Sequence, residues 1–466
     1  MNAAAREDDR PGAPAGPPKA GTDVSLVPQV FPPPETATLA SGARVVLRPT
    51  RANDIVALRM YLPMGPLYEA EEESGLSNLL QEMLLHGTLR RSEEELQDAL
   101  ADLGVKLDTG TANDYGSLTL RVARPELERA LDLFEEVVTQ PALDEEELRK
   151  EKVRVLNRIK VQNDSLLAAA FELFRETFYE GHPYHKPILG YPHTVRPIER
   201  RALQDARERW FQPHRLVVSA VGHLEPDLVL RRIERLALPT SNGALPSPPG
   251  GIVRHAEPRE VTKRRESLAA WIVIGFPAPS FVDPDHAAAR LLDAVLGGTM
   301  NSRLFTELRE KRSLAYQVSS YYNDQRGHSF LAGYIGTSAQ KYDEARAAML
   351  HEFRRFSEER VPDAELERAK RYLRGAYIVS AETNAAQAAR MGRYELYELG
   401  QDFGDRLLER VAAVTSDEIR ALAEKWFGPH VLAAIRPDDA SLARLAETGE
   451  PDDLFETTGM EEEEPE

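Results

Sequence analysis

A diverged internal repeat constrains the fold more than any other feature of this sequence. Trp210 and Trp426 lie 216 positions apart, and each follows an amphipathic helical segment and opens the pattern Trp-Phe-x-Pro-His. Two hydrophobic strand-like segments end at Pro63 and Pro277, with nearly the same separation. Pairs of helical leucines recur in the same order at similar spacing: Leu79 with Leu291, and Leu148 with Leu366. Ordered recurrence over a whole domain length predicts duplication of one fold rather than a stack of short repeats.

Each copy of the repeat mixes strand and helix patterns. Residues 36–49 read as an opening hairpin, residues 89–104 have helical periodicity and residues 117–123 read as a strand. This order predicts an α+β fold of two homologous domains, each a mixed, mostly antiparallel sheet covered by helices. Pro, Gly, Ser and Asn cluster between the two copies, as in a linker. The predicted organisation is a disordered leader at 1–35, a first domain at 36–238, a linker at 239–256, a second domain at 257–440 and an acidic tail at 441–466.

Composition excludes several classes of function. The 466 residues include no cysteine, which excludes disulfides, thiolate metal sites and cysteine nucleophiles. Because such a chain suits a reducing compartment, we expect a cytoplasmic protein. A formal net charge of −18 disfavours nucleic acid as a partner, since its phosphates would be repelled. No segment approaches the roughly 20 apolar residues of a membrane-spanning helix, and the N-terminus lacks the apolar core of a secretory signal, so no membrane contact is expected.

The segment GLSNLLQEMLLHGT, at residues 75–88, resembles the zinc-binding signature of the pitrilysin/insulinase peptidase family. That signature contains the inverted motif H-x-x-E-H, whose two histidines bind zinc while the glutamate activates the bound water. In family members a later helix supplies a glutamate as third ligand, and the helix around residues 151–158 resembles that helix. The resemblance extends over roughly residues 36–440, and it implies two homologous domains that enclose a chamber with a partner subunit.

Every chemical position of that motif is changed. On the family pattern, Asn78 and Glu82 replace the two histidines, Gln81 replaces the catalytic base and Arg158 replaces the third ligand, whereas the supporting acid Glu151 is retained. An amide is a poor zinc ligand, and a guanidinium has no lone pair to give. We therefore expect neither zinc at this position nor peptidase activity of the chain alone. We expect instead that Glu82 and Arg158 form an ion pair in the space that the metal would take.

Other histidines offer weaker metal patterns. His86 lies one helical turn after Glu82, and His182 and His185 have the spacing H-x-x-H. Neither pattern comes with a third partner of matching geometry, which a protein zinc site needs. These histidines are therefore predicted to be surface or loop residues, and the chain itself is predicted to hold no cofactor.

Residues 296–322, LGGTMNSRLFTELREKRSLAYQVSSYY, are the stretch most similar to the family. In family members this stretch carries an arginine and a tyrosine, seven positions apart, that face the zinc site across the chamber; the matching residues are Arg309 and Tyr316. An arginine fork can hold a substrate carbonyl, and a tyrosine hydroxyl can donate to a developing oxyanion. The alternative is structural: Arg309 pairs with Glu307 or Glu310, and Tyr316 belongs to the core of a strand.

In two-chain members of the family, one subunit carries zinc and the other presents the arginine–tyrosine pair to it. This sequence resembles the second kind. The resemblance implies a non-catalytic subunit of a heterodimer, which binds unfolded peptide and completes the active site of a related partner with an intact H-x-x-E-H motif. Zinc is then expected only in the partner. Two alternatives stay open: a structural scaffold without a peptidase role, and a homodimeric peptide-binding protein.

Overall fold

The computed structural model describes residues 33–240, 245 and 253–448. The chain divides into Met1–Pro33, of which one residue is described, and a compact unit from Pro34 to Glu466. Most of the predicted leader, most of the predicted linker and the acidic end of the predicted tail lie outside the described residues. A helix at Asp439–Thr448 crosses the predicted start of the tail at 441.

Among the described residues, eleven strands form two sheets. The strands are β1 (Glu35–Thr38), β2 (Arg44–Pro49), β3 (Ile55–Leu62), β4 (Lys106–Thr111), β5 (Gly116–Ala123), β6 (Val217–Gly222), β7 (Arg259–Arg265), β8 (Ala269–Ala278), β9 (Gln317–Asn323), β10 (Ser329–Ser338) and β11 (Val431–Pro437). The first sheet has the order β1-β2-β6-β3-β5-β4, and the second has the order β7-β11-β8-β10-β9.

The two sheets repeat one topology. The order of β2 to β6 in the first sheet matches the order of β7 to β11 in the second. Arg44 of β2 pairs in parallel with Val217 of β6, and Arg259 of β7 pairs in the same way with Val431 of β11. All other strand pairs are antiparallel. This shared order confirms the predicted α+β fold of two homologous, mostly antiparallel halves.

Helices cover both sheets. The α-helices are α1 (Leu76–Met83), α2 (Glu93–Asp102), α3 (Leu127–Thr139), α4 (Glu145–Asp164), α5 (Leu166–Phe178), α6 (Pro192–Val195), α7 (Arg200–Trp210), α8 (Pro226–Glu234), α9 (His286–Leu296), α10 (Tyr342–Glu358), α11 (Asp363–Val379), α12 (Asn384–Leu396), α13 (Phe403–Ala413), α14 (Ser416–Trp426) and α15 (Asp439–Thr448). Shorter elements are a π-helix at Phe305–Lys311 and 3₁₀ turns at Pro66–Tyr68, Glu71–Glu73, Arg124–Glu126, Pro183–His185 and Pro213–Arg215. Within the part of the chain that is described, no helix has both the length and the apolar character needed to span a bilayer.

The local sequence explains where α1, α2 and α4, three helices near the degenerate motif, begin. At α2, the Ser92 hydroxyl accepts the N–H of Glu95 at 3.2 Å, and the Glu95 carboxylate accepts the N–H of Ser92 at 2.8 Å, which is a capping box. At α4, the Asp144 carboxylate accepts two N–H groups of the first turn. α1 begins at Gly75, whose φ of 96° lies in the left-handed region that glycine adopts without strain.

One helix of each half covers the sheet of the other half. α5 packs on β8 and β11 of the second sheet, where Phe174 is fully buried and its ring centroid lies 5.0 Å from that of Phe330. α12 packs on β3 and β6 of the first sheet, where Gly392 lies so close to Tyr61 that a Cβ would come within 2.5 Å of its ring. The second face of each sheet is therefore buried by the opposite half, which explains why the two halves form one compact unit.

Candidate functional site

The degenerate motif lies on α1, whose apolar residues Leu79 and Met83 are fully buried. Asn78 and Gln81 on the same helix are also buried, at 6% and 1% exposure. Gln81 donates to the sulfur of Met64 at 3.0 Å, which is a weak acceptor. Asn78 Nδ2 and Gln81 Oε1 are shielded from solvent and have no hydrogen-bond partner among the described residues. Buried polar atoms without a partner lower the stability of the fold, so a favourable contribution to folding does not explain the two amides at these positions.

The predicted ion pair between Glu82 and Arg158 is present. Arg158 Nη1 donates to Glu82 Oε1 at 3.0 Å, and Arg158 Nη2 donates to Glu151 Oε1 at 3.3 Å. Because Glu82 and Arg158 are 30% and 43% exposed, their attraction is expected to contribute less than about 1 kcal/mol. Glu151 is only 5% exposed and also accepts from Arg154 at 2.9 Å. Two guanidinium groups therefore compensate the one buried carboxylate at this position.

These residues do not fit the zinc ion of the family motif. A catalytic zinc site takes three protein ligands that are imidazole, carboxylate or thiolate. Of the four replaced positions only Glu82 offers such a donor, and the Arg158 guanidinium already engages it. That guanidinium would also repel a divalent cation placed between the two side chains. No zinc-dependent step can therefore be assigned to this position.

In the structure, His86 lies among acids other than Glu82, the residue with which the sequence pattern paired it. Its Nδ1 lies 2.9 Å from a carboxylate oxygen of Glu93, and its Nε2 lies 3.2 Å from one of Glu151. Glu147 joins His86 and Glu93 in a group whose ligand atoms all lie within 4.8 Å of one another. Burial lowers the pKa of His86, but the carboxylates of Glu151 and Glu93 outweigh it and hold that pKa above its ordinary value. Sequence spacing missed this group because its members lie on separate segments that only the fold brings together.

His182 and His185 lie near the junction of the two halves. His182 is 4% exposed, and its ring centroid is 4.2 Å from that of His328 in the second half. Its Nδ1 accepts the N–H of Tyr184 at 3.2 Å. The ring of His185 contacts the Glu71 carboxylate at 3.1 Å. Both histidines lie in a loop, as predicted: His182 directly precedes the 3₁₀ turn Pro183–His185, which ends at His185, although His182 is buried rather than at the surface.

Replacing His182 by asparagine is expected to make the free energy of unfolding less dependent on pH between about 4 and 6.5. Burial lowers the pKa of His182 from 6.5 to about 4, so between these values the unfolded chain binds a proton that the native protein does not. The free energy of unfolding should therefore fall by up to about 3 kcal/mol as the pH drops from the higher value to the lower. Asparagine keeps an acceptor for the Tyr184 N–H and removes this loss. Urea unfolding at several pH values measures the effect; exposed His193→Asn is the control, and equal slopes for His182→Asn and the unaltered protein would contradict the assignment.

Arg309 lies on the π-helix Phe305–Lys311 and is exposed. Its guanidinium carbon lies 4.9 Å from the centroid of the Phe305 ring, a cation–π contact. Glu307, one of the two acids considered as its partner, pairs instead with Lys311 at 2.7 Å. The structure thus places Arg309 at the surface.

Tyr316 is half-buried just before β9. Its ring meets Trp271 edge to face with centroids 5.4 Å apart, and it lies so close to Gly336 that a Cβ there would come within 2.4 Å of it. Burial raises the pKa of Tyr316 to about 12, so its hydroxyl is protonated and can donate at neutral pH. These contacts agree with the strand-core alternative, while the protonated hydroxyl meets the chemical requirement of an oxyanion donor.

Comparison with known sequences places these features in a family. Residues 44–191 match the family model described as "Insulinase (Peptidase family M16)", and residues 197–373 match "Peptidase M16 inactive domain". An uncharacterized zinc protease of Streptomyces coelicolor is 27% identical over 399 residues, which is 84% of this chain and 86% of the relative. An uncharacterized zinc protease of Bacillus subtilis is 26% identical over 401 residues, which is 86% of this chain and 97% of the relative.

Solved structures share the fold. A peptidase M16 inactive domain from Pseudomonas fluorescens superposes with a TM-score of 0.80 at 22% identity, covering 87% of this chain and 98% of that one. A protease from Helicobacter pylori superposes with a TM-score of 0.82 at 20% identity, covering 87% of this chain and 100% of that one. The two family matches follow each other along most of the described chain. The protein is therefore a member of the insulinase family of peptidases, peptidase family M16, with a zinc motif in which every ligand position is replaced.

Proposed function

We propose that this chain is the non-catalytic subunit of a heterodimeric zinc metalloendopeptidase. In this role it binds unfolded peptide and completes the active site of a zinc-bearing partner with Arg309 and Tyr316. The single observation that carries the proposal is the position of Arg158, which bonds to Glu82 and Glu151 where the family's third ligand would approach the metal. A chain with this arrangement needs a second subunit for zinc chemistry.

The second half keeps the groups that such a role requires. Arg309 is exposed, so its guanidinium can reach a peptide carbonyl of a bound substrate. The Tyr316 hydroxyl is protonated at neutral pH and can donate to an oxyanion formed in the partner's site. Peptide would bind by strand addition to an edge of a sheet, and β4 and β9 are edge strands of the two sheets formed by the described residues.

Mixing this protein with a relative from the same organism that has an intact H-x-x-E-H motif is expected to yield peptidase activity that neither chain has alone. In the mixture, Arg309→Ala and Tyr316→Phe should each lower kcat about 10²- to 10³-fold, because each removes a group that stabilises the transition state. Lys311→Ala on the same π-helix, whose side chain pairs with Glu307, is the matched control and should leave kcat unchanged.

The outcomes of that experiment separate the proposal from its alternatives. Unchanged kcat in both variants would contradict the cross-subunit role of the pair. A stable complex that turns over no peptide would favour a scaffold. A purified chain that has the mass of a homodimer and binds peptide without the relative would favour a peptide-binding protein.

A further inference from the structure

A histidine and two carboxylates converge beside the degenerate motif. His86 follows the end of α1, Glu93 is the first residue of α2 and Glu147 lies in the first turn of α4. One ligand atom of each residue lies within 4.8 Å of the other two. The side chains are 12%, 33% and 18% exposed, so the group is partly shielded while water and ions can still reach it. One imidazole and two carboxylates form a donor set that zinc-class divalent ions accept.

The two ring nitrogens of His86 have different surroundings. Nε2 lies 3.2 Å from the Glu151 carboxylate, which is 5% exposed. With its proton on Nε2, the imidazole donates to Glu151 and directs the Nδ1 lone pair toward Glu93. A carboxylate that accepts from the distal nitrogen of a histidine is the usual outer partner of a metal-binding imidazole, because it fixes the tautomer and the ring orientation.

Two atoms of the group that could bind a metal make no hydrogen bond to the described residues. His86 Nδ1 lies 2.9 Å from Glu93 Oε1, but the two atoms are not aligned as a hydrogen bond, and Nδ1 has no other partner among the described residues. Glu147 Oε2 is likewise shielded from solvent without a partner in that part of the chain. Shielded acceptors without a donor cost stability, and a cation between them removes this cost.

We propose that His86 Nδ1, Glu93 and Glu147 bind one zinc-class divalent cation, with Glu151 as the outer partner of the imidazole. Zinc bonds of 2.0–2.2 Å place donor atoms about 3.3 Å apart, so the two glutamates need to move by roughly 1 Å. The site uses none of the four replaced positions on α1 and α4. It therefore does not restore the catalytic motif, and its role is to join the starts of α2 and α4 to the end of α1.

Neighbouring cations oppose metal binding and set its strength. Lys150 pairs with Glu147 at 2.8 Å, and Arg154 Nη1 lies 3.3 Å from His86 Nε2. Lys150 competes with a divalent ion for the Glu147 carboxylate, and the positive charge of Arg154 repels the ion. We therefore expect micromolar rather than nanomolar affinity. The competing explanation is an imidazolium at His86 that pairs with Glu93 and Glu151 and needs no metal.

Zinc titration of the full chain separates these explanations. After removal of metals with EDTA, calorimetry with zinc chloride near pH 7.5 should give one ion per chain. His86→Ala, Glu93→Gln and Glu147→Gln should each weaken binding at least tenfold, and Lys150→Ala should strengthen it. The exposed neighbours Glu94 and Glu145, changed to glutamine, are matched controls and should leave binding unchanged.

Cobalt provides a second measurement that does not depend on heat. Co²⁺ in the same site should give visible absorption bands that disappear in Glu93→Gln and Glu147→Gln, while circular dichroism shows both variants folded. Absence of stoichiometric zinc from the folded chain, or binding that all three ligand variants leave unchanged, would overturn the proposal. Neither measurement uses a partner subunit or peptide turnover, so failure here leaves the proposed heterodimer to be tested separately.

Discussion

Replacing the four degenerate positions together is expected to add one bound zinc ion per chain. The variant Asn78→His, Gln81→Glu, Glu82→His and Arg158→Glu supplies two imidazoles and a carboxylate on the frame of α1 and α4, and it removes the guanidinium that now lies 3.0 Å from Glu82. Affinity should rise from a Kd above about 1 mM at this position to one below about 1 µM, a gain of at least about 4 kcal/mol. The number of zinc ions per chain is measured in the variant and in the unaltered protein. An ion bound elsewhere is present in both proteins and does not change the difference.

A three-residue variant isolates the contribution of Arg158. Asn78→His, Gln81→Glu and Glu82→His together still leave a cation where the third ligand belongs, and two imidazoles alone do not complete a zinc site. This variant should therefore bind no additional zinc. If it binds zinc as tightly as the four-residue variant, the Arg158 guanidinium does not block the position, and the main argument for a non-catalytic subunit is lost.

Phe174→Ala is expected to lower the free energy of unfolding by about 3–5 kcal/mol. Phe174 is fully buried on α5, where it stacks on Phe178 at 5.4 Å and contacts Phe330 of the second sheet at 5.0 Å. A Cβ at Gly275 of β8 would come within 2.5 Å of its ring, so the ring packs directly on this backbone. Because β8 is paired with β10 on one side and β11 on the other, that backbone cannot readily move to fill the cavity. Chemical denaturation monitored by tryptophan fluorescence measures the loss.

The same experiment tests the exchange of helices between the two halves. Because α5 belongs to the first half and packs on the second sheet, Phe174→Ala should destabilise both halves together. Val161→Ala, at a side chain that is 69% exposed on α4, is the control and should change stability by less than about 0.5 kcal/mol. Two separate unfolding transitions, of which only one is shifted by Phe174→Ala, would show that the halves do not stabilise each other through this helix.

Some contacts in this protein could be predicted from its sequence, and others could not. The pairing of Glu82 with Arg158 was predictable, because the family register puts both at ligand positions of one metal and their charges are opposite. The burial of His182 was not, because its ring packs on His328, which lies in the other half of the chain. The group around His86 was missed for the same reason: Glu93 and Glu147 are ordinary acids of a first helical turn until the fold brings them together.

By itself, the sequence determined the duplicated α+β fold and the loss of the zinc ligands. Both follow from residue order, because hydrophobic spacing encodes strands and helices while the donor atoms of each side chain decide what a metal can bind. Only the tertiary structure decided that α5 and α12 each cover the opposite sheet, and that His86 meets two carboxylates. These contacts join residues far apart in the chain, and no local pattern records which distant surfaces will pack together.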